Sequence, residues 1–151
     1  MMAAERIPLR SEIRAEDKWD LSSLFVSEEE WTAGLEKLKG MIPVLGSFRG
    51  TLGKSAAALA ECLDFVSGYE LLAERLGSYA MLMFSGDGGD PENQKRYGLY
   101  ISAAVEGEAC LSYLVPEIQA VDDKKIEEFM KDDSLSEYRI YLSRLLRMKP
   151  H

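Results

Sequence analysis

Histidine is almost missing from this chain: the single one among its 151 residues is the last, His151. No pair of histidines can grip a zinc ion, and no internal histidine can serve as general base for a serine or cysteine nucleophile. Cysteine is nearly as scarce. Cys62 and Cys110 are the only two, too few for a disulfide framework in a chain this long. Both fall in apolar helical patterns, where a reduced core residue is the simpler reading. There is no apolar run of eighteen residues, so no membrane span is expected. The opening Met1-Met2-Ala3-Ala4-Glu5-Arg6 leads into charge rather than an apolar stretch, which argues against a secretory signal and for a cytoplasmic protein. Clustered lysine and arginine are absent too. With a net charge of −8, the chain lacks the basic footprint that nucleic acid or an anionic membrane requires.

What is present is ordinary globular material, 46% hydrophobic and 29% charged, enough for one domain with a proper core. The periodicity is helical and no stretch shows strand alternation. Residues 1–26 read as an extended arm, because Pro8 and mixed charged and small residues disfavour a long helix. Its Trp19, Leu21, Leu24 and Phe25 need an apolar surface to lie on. Ser27 and Glu30 spell a capping box. Behind it Trp31, Leu35, Leu38, Ile42 and Leu45 keep to one face, with Pro43 expected to kink the helix. Ser55 caps a second helix, whose stripe is Cys62, Val66, Tyr69, Ala73, Leu76, Ala80 and Met83. Leu59, Leu63, Leu72, Tyr79 and Leu82 widen that stripe enough to serve more than one neighbour. The run Gly86-Asp87-Gly88-Gly89 breaks it, and Asp90-Pro91 starts a third helix. In that helix Tyr97, Ile101, Ala104, Leu111, Val115 and Ile118 form the expected inner stripe, Ala103, Ala104, Gly107 and Cys110 a thin strip for close approach, and Pro116 a bend. A short fourth helix follows Asp122, with Ile126, Phe129 and Met130 inward. A fifth runs from about Ser136 through Tyr138, Tyr141, Leu142, Leu145 and Met148. The fold expected is an all-α antiparallel bundle of about five helices over residues 27–151, preceded by the arm.

The run Gly86 to Asp90 lacks both the Gly-Lys-Ser/Thr ending of a phosphate loop and the ligand spacing of a calcium loop, so a helix-to-helix turn is the better reading. Glu108 falls on the third-helix stripe where an apolar residue is expected. Buried, it would be a perturbed acid or base; at a bundle edge, it would meet water or a partner's cation. The seven tyrosines all lie in helical segments, where rings pack and hydroxyls reach the surface more often than they line a groove. No residue is singled out as catalytic, cofactor-binding or metal-binding.

Several segments nevertheless carry a resemblance. Arg10-Ser11-Glu12-Ile13 with Asp17-Lys18-Trp19-Asp20-Leu21-Ser22-Ser23-Leu24-Phe25 resembles the opening of oligoendopeptidase F, of the thimet-oligopeptidase-like zinc peptidases. Ser47-Phe48-Arg49-Gly50-Thr51-Leu52, Asp90-Pro91-Glu92-Asn93-Gln94, Leu114-Val115-Pro116-Glu117-Ile118, Tyr138-Arg139-Ile140-Tyr141-Leu142 and the closing Arg147-Met148-Lys149-Pro150-His151 resemble later segments in the same order. The resemblance implies a much longer, largely helical enzyme that hydrolyses short peptides in a deep channel. Its zinc is held by an H-E-x-x-H helix and a downstream Glu, and none of these residues occurs here. The expected role is therefore a noncatalytic N-terminal helical domain. It would form part of the channel wall and dock on the catalytic domain of the same polypeptide, and its exposed apolar surface could support a homodimer. The alternative is a free-standing helical module that binds proteins or peptides.

Overall fold

The computed structural model describes residues 6–149. Expectations placed on Met1–Glu5, Pro150 and His151 lie outside that range. Among the described residues there are six α-helices and no strands: α1 (Glu28–Ser47), α2 (Ala56–Gly86), α3 (Pro91–Leu111), α4 (Leu114–Ala120), α5 (Asp123–Phe129) and α6 (Arg139–Arg147). Ahead of α1 the chain is irregular apart from two 3-10 turns, Arg10–Glu12 and Ala15–Asp17.

The helix starts fall where the side chains direct them. Ser27, Ser55, Asp90 and Asp122 each accept a hydrogen bond from a backbone N–H in the first turn of the helix they precede, satisfying donors that have no partner inside the helix. Glu30 closes the cap of α1 by accepting from Val26 N at 2.6 Å. Helix α1 runs on past Pro43 to Ser47. Residue 43 is exposed, so water can reach the carbonyl that the proline leaves unpaired. The expected third helix is two helices. A continuous one would need an N–H from residue 116 for the Ser112 carbonyl, and Pro116 has none. The chain instead stops α3 at Leu111 and restarts at Leu114, which places the proline in a first turn, where no donor is missed. The last helix also starts later than its periodicity suggests. Asp132 binds both the backbone and the hydroxyl of Ser134, tightening Asp133–Tyr138 into a 3-10 turn ahead of α6.

Helices α1, α2 and α3 form an up-down-up bundle. Trp31 at the start of α1 donates from Nε1 to the Leu76 carbonyl far along α2, whereas Arg96 near the start of α3 meets Glu28 at the start of α1. The expected α1 stripe is buried in full: Trp31, Leu35, Leu38, Ile42 and Leu45. Helix α2 touches both partners, with Leu59, Cys62, Leu63, Val66, Tyr69, Leu76, Tyr79 and Ala80 buried. The chain after α3 covers the N-terminal half of α2 with Leu114, Ile118, Ile126, Leu135, Leu142 and Leu145.

Helix α3 corrects the expected stripe. The inner face is Asn93, Arg96, Ala103 and Gly107, with Tyr100 and Cys110 half-buried on the same side. Ile101 is 41% exposed and Val115 37%, and Tyr97, Ala104 and Leu111 are only half-buried. Thin residues win the inner position because α2 comes too close for anything larger. A Cβ on Gly107 would lie 1.8 Å from the Tyr69 hydroxyl, and one on Gly77 of α2 would lie 2.4 Å from the Tyr100 ring. Each helix thus seats its tyrosine over the other's glycine.

Candidate functional site

The polar side chains that span long stretches of sequence concentrate at the ends of the helices. Tyr113 donates to the Leu45 carbonyl at 2.6 Å, Asn93 to Met83 at 3.0 Å, Arg139 to Met130 at 2.7 Å and Gln119 to Leu145 at 3.1 Å. These acceptors lie in or just beyond the last turns of α1, α2, α5 and α6, where helical donors run short; the carbonyls of Met83 and Leu145 also take the backbone N–H of Asp87 and Met148. After α1, the Glu117 carboxylate accepts from Gly50 N at 2.9 Å and Leu52 N at 3.1 Å. Arg49 meanwhile lies 5.1 Å from the centre of the Tyr113 ring. Gly50 has φ +81°, a left-handed conformation that glycine adopts without strain.

A second node lies at the other end of the bundle. Arg96 is buried, donating from Nε to Glu28 Oε2 at 2.9 Å and from a terminal nitrogen to Asn93 Oδ1 at 2.7 Å. Its other terminal nitrogen also pairs with Glu28, and its guanidinium faces the rings of Trp31 and Tyr79 at 5.9 and 5.8 Å. Every polar edge of the guanidinium is thereby engaged or stacked, which makes burial of this charge tolerable. Neither Asn93 nor Arg96 was singled out by periodicity. The available signal was their i, i+3 spacing in continuation with residues 100, 103, 107 and 110.

The N-terminal segment lies across the far end of α2. Phe25 packs edge-on against Tyr79 at 5.5 Å, and Arg75 stacks over Phe25 at 4.7 Å while donating to the Leu24 carbonyl. A cleft of about 380 Å³ remains beside it, lined by Arg10, Lys18, Trp19, Tyr79, Leu82, Asp87 and other residues. Its charges are mixed, and Asp87 and Asp90 are already engaged by the backbone N–H groups of Gly89 and Glu92.

The sequence candidates separate. Gly86–Asp90 is a helix-to-helix turn, held by Asn93 on the Asp87 carbonyl and Gln94 on the Gly88 carbonyl. Glu108 is exposed on the outer side of α3: the helix is rotated from the expected stripe, so the buried acid or base does not arise. Cys62 is buried and Cys110 half-buried. Among the described residues, no three of His, Cys, Asp and Glu converge on a metal-sized point. No described helix is long and apolar enough to cross a membrane.

Buried hydroxyls give the fold a pH limit. Burial pushes the hydroxyl of Tyr113 well above the ordinary tyrosine range, and it also raises Tyr69, Tyr100, Tyr138 and Tyr141. Unfolded tyrosine titrates near about pH 10. Groups raised in the folded state contribute stability in full below that value, and the contribution is lost as pH rises through their folded pKa values. Helical circular dichroism should therefore collapse above about pH 10, and much of the tyrosinate absorbance at 295 nm should appear in the same step. Complete tyrosine ionisation with unchanged helicity would contradict this packing.

Comparison with known proteins places these joints in a family. The model of the family described as Oligopeptidase F matches residues 117–151. Oligopeptidase PepF of Bacillus subtilis is 33% identical over 98% of this chain and 22% of its own length. An oligoendopeptidase F homolog of Borreliella burgdorferi is 30% identical over 94% of this chain and 24% of its own. The crystal structure of a Chlamydophila abortus protein assigned as a peptidase shares the fold, with a TM-score of 0.86 at 23% identity over 94% of this chain and 24% of that one. The chain thus spans under a quarter of the length of the curated relatives it matches.

Proposed function

The chain belongs to the oligoendopeptidase F family as its N-terminal domain, and from that premise we propose that it is a noncatalytic part of a zinc-dependent peptidase acting on short peptides. The observation that carries this reading is the match to the Bacillus subtilis relative along 98% of this chain but only 22% of that protein. In this reading residues 1–26 form an arm and residues 27–151 a helical domain. The domain docks on the catalytic part and contributes to the wall of the substrate channel, in the cytoplasm.

The zinc does not fit the residues present. No donor set of three His, Cys, Asp or Glu side chains converges among the described residues. No step of hydrolysis is therefore assigned to this chain. The structural joints support this reading: they fix three long helices in one arrangement, as a rigid channel wall would require.

The test is hydrolysis of a quenched short peptide in the presence of zinc. The 151-residue chain alone should show none, and the polypeptide encoded by its gene should show it. Zinc-dependent cleavage by the 151-residue chain would overturn the assignment. A gene product ending at residue 151 that binds peptides or helices would favour the free-standing interaction module, and one that dimerised through its exposed apolar surface would replace the docking partner with a second copy.

A further inference from the structure

The rotation of α3 leaves a large apolar surface outside the bundle. Met81 is 50% exposed, Ile101 41% and Val105 61%, and Phe84 stacks on Tyr97 at 5.4 Å. Met81 and Tyr97 line a shallow groove between α2 and α3, whose floor is Gly77 with the Tyr100 ring laid over it, and Ile101 and Val105 follow Tyr97 at successive i, i+4 positions along α3. Buried apolar area would be gained if this strip were covered.

The charge that α2 and α3 bring to the strip is negative, and Arg10 of the N-terminal segment lies against Gly86, past Phe84. Glu74 on α2 and Glu106 and Glu108 on α3 make no ion pair among the described residues. Glu108 and Glu74 both lie close enough to Tyr100 to disfavour its ionisation, after burial and Tyr97. The cations of these two helices are used or aimed elsewhere. Arg75 binds the Leu24 carbonyl over Phe25, Arg96 binds Glu28, and Lys95 borders the groove between α1 and α3. A second copy of the same face would bring these carboxylates against their equivalents, a like-charge contact that opposes a two-fold dimer here.

We propose that this α2–α3 face is the docking seat of a basic amphipathic segment, supplied by the part of the peptidase outside this chain. Apolar side chains of that segment would cover Met81, Ile101 and Val105, and its Lys or Arg side chains would reach Glu74 and Glu108. The proposal rests on the reading of the chain as one domain of a longer peptidase.

Two measurements test it separately from that reading. The first uses the 151-residue chain and two synthetic eighteen-residue amphipathic helices, one of Leu and Lys, the other of Leu and Glu. The Leu/Lys helix should shift the methyl resonances of Met81, Ile101 and Val105, and the Leu/Glu helix should not. The double variant Glu74→Gln, Glu108→Gln should weaken binding about fivefold, and added salt should weaken it further. Silent methyls, or equal binding of both helices, would overturn the proposal whatever the fate of the peptidase reading. The second places a photo-crosslinking residue at position 101 of the full gene product. A crosslink to a Lys/Arg-bearing segment outside residues 1–151 is expected. A crosslink to a second copy, or none in a product that hydrolyses peptides, would overturn the docking seat and leave the domain assignment standing.

Discussion

Gly107→Ala should destabilise the chain by about 2–3 kcal/mol, the cost of overpacking a filled contact, and lower Tm by about 4–12 °C. On helix propensity alone the substitution should help, since alanine is favoured over glycine in a helix interior by about 1 kcal/mol. Contact reverses the sign. The added Cβ would lie 1.8 Å from the Tyr69 hydroxyl oxygen and 2.7 Å from Cζ, and Tyr69 is itself 4% exposed, so its ring has no free space to enter. Helices α2 and α3 would have to separate, which loosens the reciprocal contact of Tyr100 with Gly77. The control is Gly98→Ala on the same helix, where a Cβ meets nothing within 4 Å; it should be neutral or stabilising. Adding Tyr69→Phe to Gly107→Ala should recover part of the loss, because the nearest atom goes and Cζ remains. Denaturant unfolding of the four chains checks the pattern. A Gly107→Ala protein as stable as Gly98→Ala would mean that α2 and α3 do not meet in this register.

That contact also marks where sequence periodicity stops being informative. The stripe of α1 was legible because its large apolar residues all fall on one side, and burying that side is the only way to shelter them. The caps were legible because Ser27, Ser55, Asp90 and Asp122 act on donors two or three residues away. On α3 the small residues Ala103, Gly107 and Cys110 were legible as a strip for close approach, but the large-residue stripe was not the inner face, because side-chain size does not dictate burial on this helix. Its inner face is chosen by fit against α2, which favours Gly107 and Ala103, and by an Arg96 that can be buried only because Glu28, Trp31 and Tyr79 surround it. Those partners lie too far away in sequence for any local pattern to link them. Of the two readings open for Glu108, the exposed position on α3 leaves the one at the bundle edge.

The segments that carried the family resemblance have a physical explanation of the same kind. Glu117 in one of them binds the backbone of Gly50 and Leu52 in another. Asn93 in a third closes the end of α2, and Tyr138 in a fourth bonds to Asp64. These residues are distinctive because each must satisfy a specific partner, whereas the stripes between them need only be apolar and of about the right size. The resemblance therefore reports how the helices are joined, and the joints contain no catalytic chemistry.

Trp31→Ala should have the largest effect, a loss of about 3–5 kcal/mol, as for other deletions of a fully buried large aromatic. Trp31 is 1% exposed and packs where α1, α2 and α3 meet, with its Nε1 on the Leu76 carbonyl at 3.1 Å. Leu76 lies within the interior of α2, so its carbonyl keeps a helical donor and the penalty is mainly the cavity. Part of it comes through Arg96, whose guanidinium would lose one of its two flanking rings and be left beside an empty space or water. Trp31→Phe should cost less, about 1–2 kcal/mol, because a ring still fills most of the site and only the hydrogen bond and part of the volume are lost. Fluorescence distinguishes these outcomes. Trp19, the only other tryptophan, is 62% exposed, so wild-type emission should contain a blue-shifted component shielded from acrylamide, and Trp31→Phe should remove it. If acrylamide quenches both tryptophans alike in the native chain, Trp31 is not at the bundle centre. If the shielded component is present and Trp31→Ala still leaves stability unchanged, the three-helix arrangement is not held at this point, and the α2–α3 face has lost its principal support.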